Sequence, residues 1–351
     1  MPAIPTDESP PPTILPIEVR SLSPRDLSAL RRLDSLYRLD QPDLQLEGYH
    51  VLRAAFMAAI PGLRGRRPAY VARAGEQLVG FTQFQIVAPD QRWHLIALGA
   101  SVGVFDAEPV WEALLIHGVR AAGLSGVKRL FGRLPPAAPF ATVIRKLGWT
   151  PYGTEFVYAA HEVVWREPTI TVRSQEPTDT WAIHQLYMAA VPRPVQEAEA
   201  YTSHHWEMRK GRTRGGDQRA GWLVEEGHQV IGYARTTERH GVVVLELLYR
   251  PDRAEIVPSL IEGALGSLAN RRPRRVFCAV RGYQAEAATA LEAHGFHLTL
   301  EQTLLIKYTT ASVRLPVAEA APFHVEVREK VPRRVPTLPR GQWTEGQAPG
   351  G

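Results

Sequence analysis

Cysteine is almost missing from this chain: Cys278 is the single thiol in 351 residues. An intramolecular disulfide and a cysteine-rich metal site are thereby excluded. Long apolar runs are missing as well, none reaching the ~18 residues needed to cross a bilayer as a helix, so no membrane partner is expected. The opening MPAIPTDESPPPTILP has no basic segment leading into an apolar stretch. A secretory leader is therefore not expected, and the cytoplasm is the expected compartment. Charge is nearly balanced, with 41 basic and 36 acidic side chains and a net charge of +5. That excess fits a solvated arginine-rich surface or an anionic ligand. Metal-ligand spacing is also absent. His204 and His205 are adjacent, so on a helix they point about 100° apart, and His240, His294 and His297 form no ligand pattern. No metal site is expected. Cys278 alternates with Phe277 and Ala279 on an expected core strand and reads as packing.

What is present is a repeat. The run Ile17–Ser21 (IEVRS) returns about 150 residues later as Ile170–Ser174 (ITVRS). Each predicts a strand leading into a helix start, Pro24 with Asp26 in one copy and Pro177 with Asp179 in the other. Leu27, Leu30, Leu33 and Leu36 then recur at helical spacing, as do Ile183, Leu186 and Tyr187. A hairpin follows in both copies, YVARAGEQLVGF from Tyr70 through Gly80 to Phe81, and WLVEEGHQVIGY from Trp222 through Gly232 to Tyr233. A third strand comes next, Trp93–Val104 or Val242–Tyr249, then a helix, about Glu108–Ala122 or Ala254–Ala269. Strands Arg129–Arg133 and Arg275–Ala279 lead to short helices, which end on Leu147-Gly148-Trp149 and His294-Gly295-Phe296. Strands Glu155–Ala160 and Gln302–Tyr308 close the two copies. The expected organisation is a disordered terminus over 1–14, one domain over 15–165, a second over 168–315, and a proline- and glycine-rich tail over 316–351. Within that tail Phe323–Lys330 (FHVEVREK) alternates well enough to add one strand.

The order of elements, the two hairpin glycines Gly80 and Gly232, and the pairs Gly148-Trp149 and Gly295-Phe296 resemble the GCN5-related N-acetyltransferase (GNAT) family. The resemblance runs over about 15–165 and 168–312, in a two-copy layout similar to tandem members such as mycothiol synthase. It implies an α/β (α+β) fold of two GNAT-like domains, each a mixed, splayed, mainly antiparallel sheet flanked by helices. We expect two such sheets, one per copy. It also implies acetyl-CoA as co-substrate, carried at a turn whose backbone N–H groups and following helix N-terminus meet the pyrophosphate.

The sequence departs from that pattern at the turn. The second copy offers Leu247, Leu248, Tyr249, Arg250, Arg253, Ala254 and Glu255 as cofactor-binding positions, without the family's glycines. Arg250 and Arg253 either meet a phosphate as charges or are solvated on a turn. The first copy has small residues over Gly99–Gly103, but Asp106 and Glu108 would repel a diphosphate unless they serve as helix caps. The family's leaving-group tyrosine is replaced by Ile144 and Leu291. Glu246, between apolar sequence neighbours, is the candidate general base, or else a carboxylate on an exposed strand face. Gly99 stands at the equivalent point of the first copy.

Two functions follow. One is an acyltransferase moving acetyl from acetyl-CoA to an amine, either a small molecule or a protein N-terminus, through the second domain. The other is a non-catalytic binding or regulatory protein that has lost the phosphate loop and the leaving-group acid. Basic loops at Arg64–Arg67 and Arg209–Arg219 occupy equivalent places, but no aromatic residues interleave with them, so a nucleic-acid partner is not expected.

Overall fold

The computed structural model describes residues 16–33, 35–39, 50–60, 67–87, 92–101, 106–208, 218–268, 273 and 275–309. The expected strand at 323–330, both terminal segments, most of the basic segment 209–219 and residues 102–105 lie outside the described residues. The first half runs β1 (Ile17–Ser21), α1 (Leu27–Leu30), β2 (Ser35–Arg38), α2 (Val51–Ala59), β3 (Ala69–Ala74), β4 (Gln77–Val87), β5 (Arg92–Ala100), α3 (Ala107–Leu124), β6 (Arg129–Leu134), α4 (Ala141–Lys146) and β7 (Thr150–Ala160). The second runs β8 (Arg173–Ser174), α5 (Thr180–Ala190), α6 (Arg193–Glu199), β9 (Gln218–Glu226), β10 (Gln229–Arg239), β11 (Val242–Tyr249), α7 (Val257–Gly266), β12 (Arg275–Arg281), α8 (Glu286–Ala293) and β13 (His297–Tyr308). Among the described residues no helix is long and apolar enough to cross a membrane.

The matched sequence motifs are matched in structure. Arg20 holds Asp26 through two hydrogen bonds (2.8 and 2.7 Å), and Arg173 holds Asp179 in the same way (2.7 and 2.8 Å). Each aspartate also accepts a backbone N–H, from Ser23 or Glu176, and so fixes the entry to the first helical turn. The two hairpin glycines share one steric reason. A Cβ on Gly80 would stand 2.4 Å from Val110 Cγ1, and one on Gly232 would stand 2.5 Å from Ile256 Cδ1. At both places a helix is packed directly on the strand, leaving no room for a methyl group. Gly148 and Gly295 take positive φ (75° and 85°) just after α4 and α8. They turn Trp149 and Phe296 back so that their N–H groups bond Ile144 and Leu291. Both aromatic rings and both aliphatic side chains are buried.

Three expected elements are shorter. Only Arg173–Ser174 of the expected strand 170–174 pairs. The helix expected from Ala254 is a tight 3₁₀ turn over Pro251–Ile256, followed by α7 from Val257. Pro258 has no N–H to give to Ala254, and the Val257 N–H bonds that carbonyl instead. The leucine run that predicts a helix through Leu36 also stops early, because Leu36 belongs to β2.

The larger correction concerns the sheet. In place of one sheet per copy, the described residues form a single mixed sheet of thirteen strands, in the order β1-β3-β4-β5-β6-β13-β7-β12-β11-β10-β9-β8, with β2 paired to β5. The halves are mirrored about the antiparallel pair β7 and β13, and these closing strands are exchanged. β13 of the second half pairs with β6 of the first, Thr303 opposite Leu134 through Tyr308 opposite Arg129. β7 of the first half pairs with β12 of the second, Val276 opposite Ala160 through Arg281 opposite Glu155. The periodicity of each strand is satisfied by any neighbour of suitable register, so local sequence does not say which copy supplies it.

Because each half lends the other its last strand, neither completes its own hydrogen-bond ladder. Segments 1–166 and 167–351 expressed separately are expected to lack cooperative thermal unfolding, or to self-associate. Co-expressed, they should elute as a one-to-one complex in size-exclusion chromatography. A monomeric first half that melts cooperatively would show the exchange to be dispensable.

Candidate functional site

Parallel strands joined through a helix diverge once in each half. In the second, β11 and β12 are in register only from Val242 opposite Arg275 to Leu245 opposite Cys278. Beyond that point Glu246–Tyr249 pairs with β10 on one side and faces an opening on the other, with no strand on that edge among the described residues. In the first half β5 and β6 are in register only at Trp93 and His94. There the opening is occupied: β2 pairs antiparallel with β5, Ser35 opposite Ala100 through Arg38 opposite Ala97, and Leu39 N–H continues the ladder to Ile96 (3.0 Å). Tyr37 packs edge-on against Phe140, ring centroids 5.4 Å apart, and Leu39 is buried in the same core. Gly99 permits this approach, since a Cβ there would lie 2.6 Å from the Ser35 carbonyl oxygen.

In the second half the predicted site residues divide between two faces, as strand alternation requires. Leu247 and Tyr249 pack toward α7 and α8, and the Tyr249 hydroxyl donates to Glu286 (3.4 Å). Glu246 and Leu248 face the side covered by α5 and the turn Ser203–Trp206, where Leu248 is buried. The apolar neighbours Leu245 and Leu247 therefore do not surround the Glu246 carboxylate. Across the β10–β11 pair stands Arg235, whose Nε donates to Glu246 Oε2 (2.9 Å) and whose Nη2 donates to the same oxygen. Arg235 also donates to the His205 carbonyl (2.9 Å) and reaches its Nε2 (3.2 Å). The Arg235 side chain is 7% exposed and that of Glu246 41%, so the arginine is fixed while the carboxylate keeps an open side.

The turn after β11 is self-satisfied. Arg250 N–H bonds Ile231, and Arg253 N–H bonds Arg250. The Arg250 guanidinium is paired with Asp252 (3.0 and 2.6 Å), and that of Arg253 with Glu255 (2.7 Å) and Glu226. Three carboxylates thus surround the two arginines, and Ala254 packs against the α7 core. The turn offers a phosphate paired guanidinium groups rather than a ring of free N–H groups.

Sequence pattern misses three features that shape this region: Arg235, the strand β2, and Gln284. The Gln284 side chain spans the opening, donating from Nε2 to the Leu247 carbonyl (2.9 Å) and accepting at Oε1 from the Arg281 N–H (3.1 Å). Only the run of buried-type residues around Arg235 on β10 hints at its burial beforehand. Elsewhere, His204 reaches Glu207 while His205 turns inward, and burial pushes the Cys278 thiol up. Among the described residues no group of three metal-ligating side chains comes together.

The architecture is that of GCN5-related N-acetyltransferases, in two tandem units. Among solved structures, a GCN5-related N-acetyltransferase from Sphaerobacter thermophilus matches 85% of this chain and 98% of its own, with a TM-score of 0.52 and 14% identity. A tandem GNAT protein from the clavulanic acid biosynthesis pathway matches 85% of this chain and all of its own, with a TM-score of 0.47 and 13% identity. No protein-family model and no curated protein matches the sequence. At these identities the likeness is one of fold.

Burial, reinforced by the Arg235 charge, holds His205 well below its ordinary pKa, so its imidazole is neutral at pH 7. In an NMR titration His205 should show no protonation step between pH 8 and 6. In an Arg235→Gln variant its pKa should move up toward 6.5, though not all the way, because burial remains. An unchanged His205 titration would mean that Arg235 does not govern this face.

Proposed function

We propose that the protein transfers an acyl group, acetyl from acetyl-CoA, to an amine, and that the opening between β11 and β12 is where it does so. The observation behind this reading is the edge Glu246–Tyr249, which no strand pairs among the described residues, and beside it a partly exposed carboxylate held in place by Arg235. An acyl-CoA arm carries amides and can add to an open strand edge as a further strand would. Leu247, Leu248 and Tyr249 would supply that edge. Arg250, Arg253, Ala254 and Glu255 would lie under the nucleotide end, with the guanidinium groups exchanging a carboxylate partner for phosphate.

In the reaction the amine nitrogen attacks the thioester carbonyl, the C–N bond forms and the C–S bond breaks. Glu246 takes a proton from the amine, and the CoA thiolate takes one from solvent. Ile144 and Leu291 are buried aliphatic residues and offer no acid. The acceptor is a small amine or a protein N-terminus. The first half has its opening closed by β2 and serves as partner fold and strand donor.

Isothermal titration with acetyl-CoA should give one site per chain rather than two. A stoichiometry of two would return the first half to consideration, and no heat at high micromolar ligand with folded protein would remove the reading. Glu246→Gln should lower turnover by about a hundredfold or more, as for loss of a general base, while leaving acetyl-CoA affinity unchanged. Arg253→Ala should weaken acetyl-CoA by up to about tenfold, because the arginine already has carboxylate partners to give up. Equal affinity in Arg253→Ala and the parent would move the nucleotide away from this turn.

A further inference from the structure

A cleft edge whose carbonyl and N–H groups have no strand beside them must find partners in the free protein, since unpaired buried backbone groups are costly. The two halves meet this demand differently. In the first, a whole strand enters the opening, and its backbone bonds to β5 over Ala97–Ala100. In the second, a single carboxamide bridges it, that of Gln284, which ties the Leu247 carbonyl on β11 to the Arg281 N–H at the end of β12. One donor and one acceptor, set at the two walls, present to the cleft what an amide of an elongated ligand would present. Gln284 is 6% exposed, although the flanking Gly282 and Ala285 of its turn are exposed. Its main chain is secured separately, by Gln284 N–H to Arg281 (2.8 Å) and Ala287 N–H to Gln284 (3.0 Å). The side chain can therefore leave the cleft by rotation about its own bonds, without the turn unfolding. β2 has no such freedom, being anchored by the Tyr37 ring and by buried Leu39.

We propose that the Gln284 carboxamide is an internal occupant of the second cleft, which an amide-bearing ligand displaces. The inference rests on the acyl-transfer reading for the identity of that ligand. The free protein keeps the cleft closed by two neutral hydrogen bonds, and the ligand replaces them with its own to the same walls. Gln284 thus sets the affinity for acyl-CoA by competing with it, while Glu246 and Arg235 on the neighbouring face are untouched. The side chain acts as a latch, and the first half's cleft is shut for good.

The test is titration of acetyl-CoA into the full chain and into Gln284→Ala and Gln284→Met. The methionine side chain has similar length but cannot bridge, which guards against a variant that fails to fold. Both variants should bind about tenfold tighter than the parent, the effect of removing two neutral hydrogen bonds from the free state, with one site per chain retained. In the ¹⁵N-labelled parent, the Gln284 carboxamide protons should exchange slowly without ligand and at the rate of an exposed glutamine with it. If the parent binds acetyl-CoA and the variants bind no tighter, or the carboxamide stays protected in the complex, the latch is wrong. If neither parent nor variants bind at all, the acyl-transfer reading itself falls.

Discussion

The buried carboxylate of Glu155 is the point on which the two halves depend. It sits on β7, at the centre of the sheet, and is met by side chains from three other strands. Arg133 of β6 donates to it (2.7 Å), Arg281 of β12 stands 3.2 Å away, and Gln302 of β13 donates to it from the directly opposite position (2.7 Å). Burial alone would raise the carboxyl, but the two guanidinium groups and the Gln302 bond hold it below its ordinary value. A buried ionic cluster is a weak source of net stability. Its value here is in register: a one-residue slip of β7 would carry Glu155 to the other face, taking the carboxylate from Arg133 and leaving Arg281 with Glu199 alone.

The same cluster reaches the cleft. Arg281 is the last residue of β12, where that strand has already parted from β11. Its guanidinium is divided between Glu155 and Glu199 of α6 (2.9 Å to the latter), while its N–H holds Gln284. The wall of the cleft is therefore fixed from behind by the seam between halves, and α6 is tied to it. One set of charges thus links the closing strands, the end of β12 and the end of α6.

Duplication has left the framework alike and the clefts unlike. The Arg20–Asp26 and Arg173–Asp179 pairs, the glycines under α3 and α7, and the turns that bury Trp149 and Phe296 recur because each solves the same local packing problem. The clefts carry no such demand once one of them is closed. The cross-seam pair shows the same drift, with Glu155 facing Gln302 where two carboxylates would repel each other.

Element types, the repeat and the fold class were legible in the sequence because they rest on short-range rules. Alternation marks strands such as Val242–Tyr249, and the hairpin and helix-end glycines answer local steric needs. Glu246, Arg250 and Arg253 could be placed at a strand end and a turn for the same reason. Their surroundings could not. Strand neighbours of Glu246 in sequence point to the opposite face, and Arg235, its actual partner, is eleven residues distant on another strand. The helical leucine spacing through Leu36 lost to an open edge on β5 that exists only after folding. Which half supplies β7 and β13, and which side chain crosses a cleft, are decided by pairings between residues far apart in the chain. One strand's pattern is compatible with several neighbours; only the assembled sheet, with Glu155 fixed among Arg133, Arg281 and Gln302, selects among them.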